Sequence, residues 1–168
     1  MEREGRLTVN VAVDRAIPIG FLGIDLKNKT LERYDSGDVQ ADWTPRSEVA
    51  DTVVAVLKNP AETANRIVRV ASYFVSQNEI LAAVEKVTGG QKFEVKQVSS
   101  EDAVERGKKE FAEGKFDHVS QWIMGVHVSG VEGTVHKGPD NQALFGRGQK
   151  SQEEFEELVA KAVKGEEV

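Results

Sequence analysis

Residues 20–38 read GFLGIDLKNKTLERYDSGD, and this stretch constrains the fold more than any other. Two short runs, 21–26 and 30–34, are strand-like, and Lys27-Asn28-Lys29 between them suits a hairpin turn. Asp35-Ser36-Gly37-Asp38 then breaks the structure. Ahead of the hairpin, residues 7–13 (LTVNVAV) alternate apolar and polar side chains and are rich in valine, which predicts an opening strand.

Helices and strands follow in alternation. Thr44 is placed to cap a helix and Pro45 to occupy its first position, where a missing N–H costs nothing. Val49, Val53, Val54 and Leu57 form its apolar stripe, and Asn59-Pro60 ends it. Residues 66–71 (RIVRVA) read as a strand. Ser76 and Glu79 form a capping box, with Val75 and Ile80 placed to staple the helix entry. Ile80, Leu81, Val84 and Val87 face inward, and Gly89-Gly90 supplies a left-handed exit. Residues 93–98 alternate as a strand. Ser99 or Ser100 then opens a charged helix reaching about Glu113, interrupted at Gly107. Val119, Trp122, Ile123 and Val126 give another helical face, and residues 130–148 form a glycine-rich loop. Ser151 and Glu154 form a second capping box, opening a last helix with Phe155, Leu158, Val159, Ala162 and Val163 on its apolar side. The order is that of an α/β or α+β fold, without internal repeat or linker, so residues 1–168 are expected to form a single domain.

A domain of 168 residues buries roughly 70% of its unfolded surface, enough for a core without staples. No apolar run approaches the ~20 residues that cross a bilayer, and residues 1–15 lack the apolar segment of a secretory signal. Cysteine is absent, which excludes disulfides, thiolate nucleophiles and cysteine metal sites. The expected address is cytoplasmic. Net charge is −6 and the basic residues are scattered. Nucleic-acid binders need a basic face, because phosphate neutralisation supplies most of their affinity, so nucleic acid is not an expected partner.

A dinucleotide fingerprint places glycines directly between a strand and a helix. Gly146-Arg147-Gly148-Gln149-Lys150-Ser151 precedes a helix but follows NQALF, lacks a third glycine and misses phosphate-loop spacing. It reads as a turn before a capped helix. The two tyrosines, Tyr34 and Tyr73, are followed four residues later by Asp38 and Gln77, so the tyrosine–lysine pair of short-chain dehydrogenases is missing. His118, His127 and His136 are spaced nine residues apart, wider than the close pairs of helical zinc sites, and no metal is expected. Ser72, Ser76, Ser99 and Ser100 sit in no Gly-x-Ser-x-Gly elbow. His118 and His127 flank Trp122 and Met124 on one predicted helix, and histidine is the side chain best poised for proton transfer near neutral pH. Asp14 and Arg15 follow the first strand, at the kind of strand end where doubly wound folds collect ligands. Asp42, Trp43 and Arg46 precede the first long helix, with Trp43 either lining a pocket or packing under the hairpin.

Residues 20–38, together with 47–60 (SEVADTVVAVLKNP) and 65–81 (NRIVRVASYFVSQNEIL), closely resemble the fungal NmrA-like proteins, relatives of isoflavone reductases among the atypical short-chain dehydrogenases. The resemblance covers roughly residues 7–164 and falls on the family's C-terminal half; the family's glycine-rich loop has no counterpart. It implies the last strands of a doubly wound, Rossmann-like sheet plus a small substrate-side lobe. It also implies that the helix QWIMGVHV lines a small-molecule pocket. Residues 14–19 (DRAIPI) depart from the aromatic segment usual in the family. The family uses NAD(P)H, but no cofactor is expected for this chain alone.

The reading that results is a protein that binds a small hydrophobic metabolite, with cofactor-free isomerisation, cyclisation or dehydration as its candidate chemistry. His118, His127 and Asp14 are the candidate acid–base residues, and Arg15, Trp43, Tyr73, Trp122 and Met124 the candidate substrate contacts. Two alternatives stand beside it. One is a regulatory or partner-binding module, in which an exposed valine-rich strand edge pairs with another protein or a second copy. The other is a fragment of an NAD(P)H-dependent reductase whose remaining half carries the cofactor.

Overall fold

The strands pair as three small sheets rather than one. The computed structural model describes residues 6–9, 11–129, 140–146 and 148–166; His136 and Arg147 lie outside them. β1 (Arg6–Val9) runs parallel to β5 (Ile67–Val70). The hairpin strands β2 (Ile24–Asp25) and β3 (Thr30–Tyr34) are antiparallel, and β7 (Glu94–Val98) joins β3 in parallel. β4 (Ala41–Trp43) and β6 (Tyr73–Val75) form an antiparallel pair, with Trp43 opposite Tyr73. The helices are α1 (Val13–Ala16), α2 (Arg46–Lys58), α3 (Pro60–Thr63), α4 (Gln77–Val87), α5 (Ser100–Ala112), α6 (Val119–Val128), α7 (Asn141–Phe145) and α8 (Gln152–Lys164). The result is the mixed α/β layout that the element order predicts.

One core joins these pieces. Val13, Ile17, Leu22, Ile24, Leu31 and Trp43 meet Ile80, Val84, Met124 and the α8 face of Phe155, Leu158 and Val159. Both capping boxes form as expected, at Ser76–Glu79 and Ser151–Glu154. Gly89 and Gly90 take positive φ after α4, conformations that cost a β-carbon-bearing residue.

Several expectations are corrected. The opening strand ends at Val9, and Val13 and Asp14 belong to a helical turn, because alternation alone does not show where a strand stops. Of the run 21–26 only Ile24 and Asp25 pair as strand. β1 does find a partner within the chain, β5, although no strand among the described residues covers its other edge. Pro45 is the N-cap of α2 rather than its first residue. The Thr44 hydroxyl donates to Val70 O instead (3.3 Å), and the Asp14 carboxylate takes the capping role by accepting from Arg46 N (3.1 Å). The α2 stripe is outward: Val53, Val54 and Leu57 are exposed while Glu48 and Thr52 are buried. α5 continues through Gly107, which is buried. α6 is rotated from its expected face, with Met124, Gly125, His127 and Val128 buried and Ile123 exposed. The glycine-rich segment contains a short helix, α7.

Gln77 locks the hairpin to α4. Its Oε1 accepts from Tyr34 N (2.9 Å), and its Nε2 donates to Glu32 O (3.3 Å) and Leu22 O (3.4 Å). A leucine there would strand buried backbone groups without partners. Gln77→Leu is expected to cost about 2 kcal/mol, read as a lowered urea midpoint with an unchanged slope.

Candidate functional site

The hairpin and the start of α6 enclose a groove of about 550 Å³. β2 and β3 contribute Asp25, Glu32 and Tyr34 to its lining, and the segment before β2 contributes Ile19 and Phe21. Ser120 and Gln121 from the first turn of α6 complete it, with Lys96 from β7 alongside. The parallel pairing of β3 with β7 brings Lys96 opposite Glu32. A side-chain relay joins three elements: Arg106 donates to Gln121, and Gln121 donates to Glu32 (3.1 Å). α6 begins without a side-chain cap and with no acid in its first turn.

The groove holds polar groups of defined state. Burial first, and then the Glu32 carboxylate, push the Tyr34 phenol well above its ordinary range, so it stays a protonated hydroxyl. Asp25 accepts from the backbone N–H groups of Lys27 and Asn28 (2.9 Å each) and from the Asn28 amide (2.7 Å). The Asn28 backbone bond leads the causes that hold its carboxyl below the usual range. The site is thus an amphipathic cleft with a neutral donor, fixed carboxylates and an aromatic wall. Among the described residues, no group of histidines and carboxylates is arranged to hold a metal ion.

The candidate residues read from the sequence fall outside this groove and apart from one another. Asp14 is buried and held by Arg46, whose Nε lies 3.0 Å from Asp14 Oδ2. Arg15 is exposed on the same turn. His118 is the N-cap residue of α6, two residues ahead of Ser120, and its Nδ1 lies 2.6 Å from Glu110 Oε2. His127, near the other end of α6, is buried in a T-shaped contact with Trp43, with ring centroids 4.6 Å apart. Trp43 itself is wholly buried, its indole N–H donating to Val75 O (2.8 Å). Tyr73 packs on Phe155 with its hydroxyl toward Glu154 O (3.4 Å). Met124 is in the core. Trp122 meets the exposed Phe111 instead (5.6 Å), so tryptophan and methionine do not share a pocket wall.

Phe21, Tyr34, Lys96 and Gln121 were not marked by any sequence motif. They are drawn together by a parallel strand pair and a helix crossing, neither of which leaves a local signature. Only the hairpin itself pointed to the place.

The starts of α2, α4, α5 and α8 are closed to a pyrophosphate. The capping boxes fill the first turns of α4 and α8 with Glu79 and Glu154. Ser99 and the Asp35 carboxylate take the first N–H groups of α5, and Asp14 takes that of α2. Carboxylates at these ends repel the anion that an open helix N-terminus would attract. Gly146 is the left-handed cap of α7, and Lys150 Nζ is engaged by Glu48 (2.6 Å).

The backbone aligns with solved reductases over nearly its whole length. Leucoanthocyanidin reductase from Vitis vinifera, solved with NADPH, matches 96% of this chain with a TM-score of 0.69 at 14% identity. The chain has the fold of about half of an NmrA-like, isoflavone reductase-type protein. An isoflavone reductase matches 89% of it (TM-score 0.62, 19% identity), and an NADPH-dependent quinone oxidoreductase from Escherichia coli 93% (TM-score 0.60, 14% identity). In sequence the chain is related to oxidoreductase poxI of Penicillium oxalicum, 34% identical over 109 residues, 65% of this chain and 33% of that protein. No protein-family model matches. The chain spans about a third of the length of that curated relative, and 55%, 50% and 52% of the three structures in the order given. No helix among the described residues is long and apolar enough to cross a membrane.

Proposed function

We propose that this chain is a small-molecule-binding protein built on the C-terminal half of an NmrA-like reductase fold. It holds an amphipathic metabolite between the β2–β3 hairpin and α6, without hydride transfer of its own. The groove carries this reading. Its volume of about 550 Å³ is in the range of small-molecule sites, and the family-like residues 20–34 supply most of it. A ring lies against Phe21 and Ile19, and an oxygen is directed to Tyr34, Ser120 or Gln121. The starts of α2, α4, α5 and α8 are closed to the pyrophosphate of NADPH, which the leucoanthocyanidin reductase binds. Cofactor-free isomerisation, cyclisation or dehydration is the chemistry open to such a groove. Of the candidate acid–base residues, His118 is the one adjoining it. Asp14 and His127 serve the packing of α2 and Trp43.

Calorimetric titration of the chain with NADPH, with an isoflavone (genistein) and with a quinone (menadione) tests this. Saturable binding of the isoflavone or the quinone is expected, lost in Ser120→Trp, which fills the groove, and retained in His127→Gln. No binding by the folded chain, or binding indifferent to Ser120→Trp, rejects the groove. Saturable NADPH binding would return the chain to the nucleotide-dependent reductases. The partner-binding reading draws on a separate observation, the outward apolar stripe of α2.

A further inference from the structure

Helix α2 is amphipathic in the opposite sense to a helix lying on a core. Val53, Val54 and Leu57 are 44%, 49% and 74% exposed, whereas Thr52 and Glu48 are 0% and 6% exposed. With 3.6 residues per turn, Ala50, Val53, Val54 and Leu57 form one continuous stripe. Rotation of the helix cannot bury it, because the inner face is committed. Thr52 is wholly buried, and the buried Glu48 carboxylate holds Lys150 (2.6 Å). Turning α2 over would break that pair and bury nothing polar in return. An apolar stripe fixed outward marks an association surface.

Charge on the flank of the stripe selects the occupant. Asp51 and Lys58 stand two turns apart on the same side of it, both exposed. Neither enters an ion pair among the described residues. When a helix pairs with its own copy about a two-fold axis perpendicular to it, the chains run antiparallel and each flank faces the same flank reversed. Asp51 of one copy then meets Lys58 of the other, twice over, while the valines and leucine close the centre. We propose that α2 is the contact face of a two-fold homodimer, packed antiparallel against α2 of a second copy with Asp51 and Lys58 paired across it. Thirteen residues of helix span only about 20 Å, so the interface is small and the dimer is weak, in the micromolar range. The dimer is independent of the groove and stands whether or not a ligand binds there.

Sedimentation equilibrium of the chain across micromolar concentrations is the test. A reversible dimer is expected, weakened about tenfold by Asp51→Lys or by Lys58→Asp and restored by the double exchange. Both side chains are exposed, and circular dichroism of each variant checks that the fold is kept. A monomer throughout that range overturns the proposal and leaves the stripe to a different protein or to further chain of a longer polypeptide. A dimer unmoved by the single reversals, or not rescued by the exchange, overturns it as well.

Discussion

Replacing Trp43 with alanine is expected to remove about 4 kcal/mol of stability, a large share of the 5–15 kcal/mol typical of a domain. The ring is wholly buried. It holds three parts of the chain at once. Its N–H donates to Val75 O on β6 (2.8 Å), its ring makes a T-shaped contact with His127 on α6 (4.6 Å, 80°), and its own carbonyl accepts from Ser72 N (2.9 Å). Alanine would keep only the backbone bond and leave a cavity that the strands around it cannot close. Trp43→Phe fills most of that volume and loses the indole donor, so it should cost about 1–2 kcal/mol. Urea unfolding monitored by circular dichroism would order the two. If alanine and phenylalanine cost the same, volume is not what the residue provides, and the account of the core at β4 is wrong.

Gly107→Ala is the second large effect, and its sign is the informative part. At an exposed helix interior the change gains about 1 kcal/mol, because alanine restricts the unfolded chain and favours the helix. Here a Cβ at position 107 would lie 2.3 Å from Trp122 Cβ, 3.1 Å from its Cγ and 3.3 Å from His118 O. The first contact is with a carbon bonded directly to the Trp122 backbone, so α5 and α6 must separate. Overpacking of this kind costs about 1–3 kcal/mol beyond the propensity gain, and valine should cost more than alanine. The opening of the crossing would also shift Gln121, which α6 carries into the groove. Ligand affinity and stability should therefore fall together in Gly107→Ala. A stabilised variant would show that the two helices are not in close contact at this point.

These two residues show where sequence reading stops. Gly107 looked like an interruption because a glycine in a charged helix costs propensity, and the compensating contact lies on a different helix. Trp43 was open between pocket and packing, and only the nearness of Val75 and His127 decided for packing. The α2 stripe was correctly identified as one face, since spacing determines which residues are neighbours on a helix. Spacing carries no information on whether that face is turned in or out, and Glu48, Thr52 and Lys150 settled it.

The local rules of the chain were legible from its residues. The hairpin at Lys27-Asn28-Lys29, the capping boxes at Ser76 and Ser151, the glycine exit after α4 and the inward face of α8 each depend on residues within a turn or two of one another. Tertiary structure alone decided the rest. The parallel register of β3 on β7 joins residues 64 positions apart. The crossing of α5 and α6 sets His118 against Glu110, and the packing of α6 on β4 sets His127 against Trp43, at opposite ends of α6. The groove arises where the β3–β7 register and the α5–α6 crossing meet. Short-range hydrogen bonds and side-chain spacing are written in the order of residues; the burial of a face depends on what the distant chain brings against it.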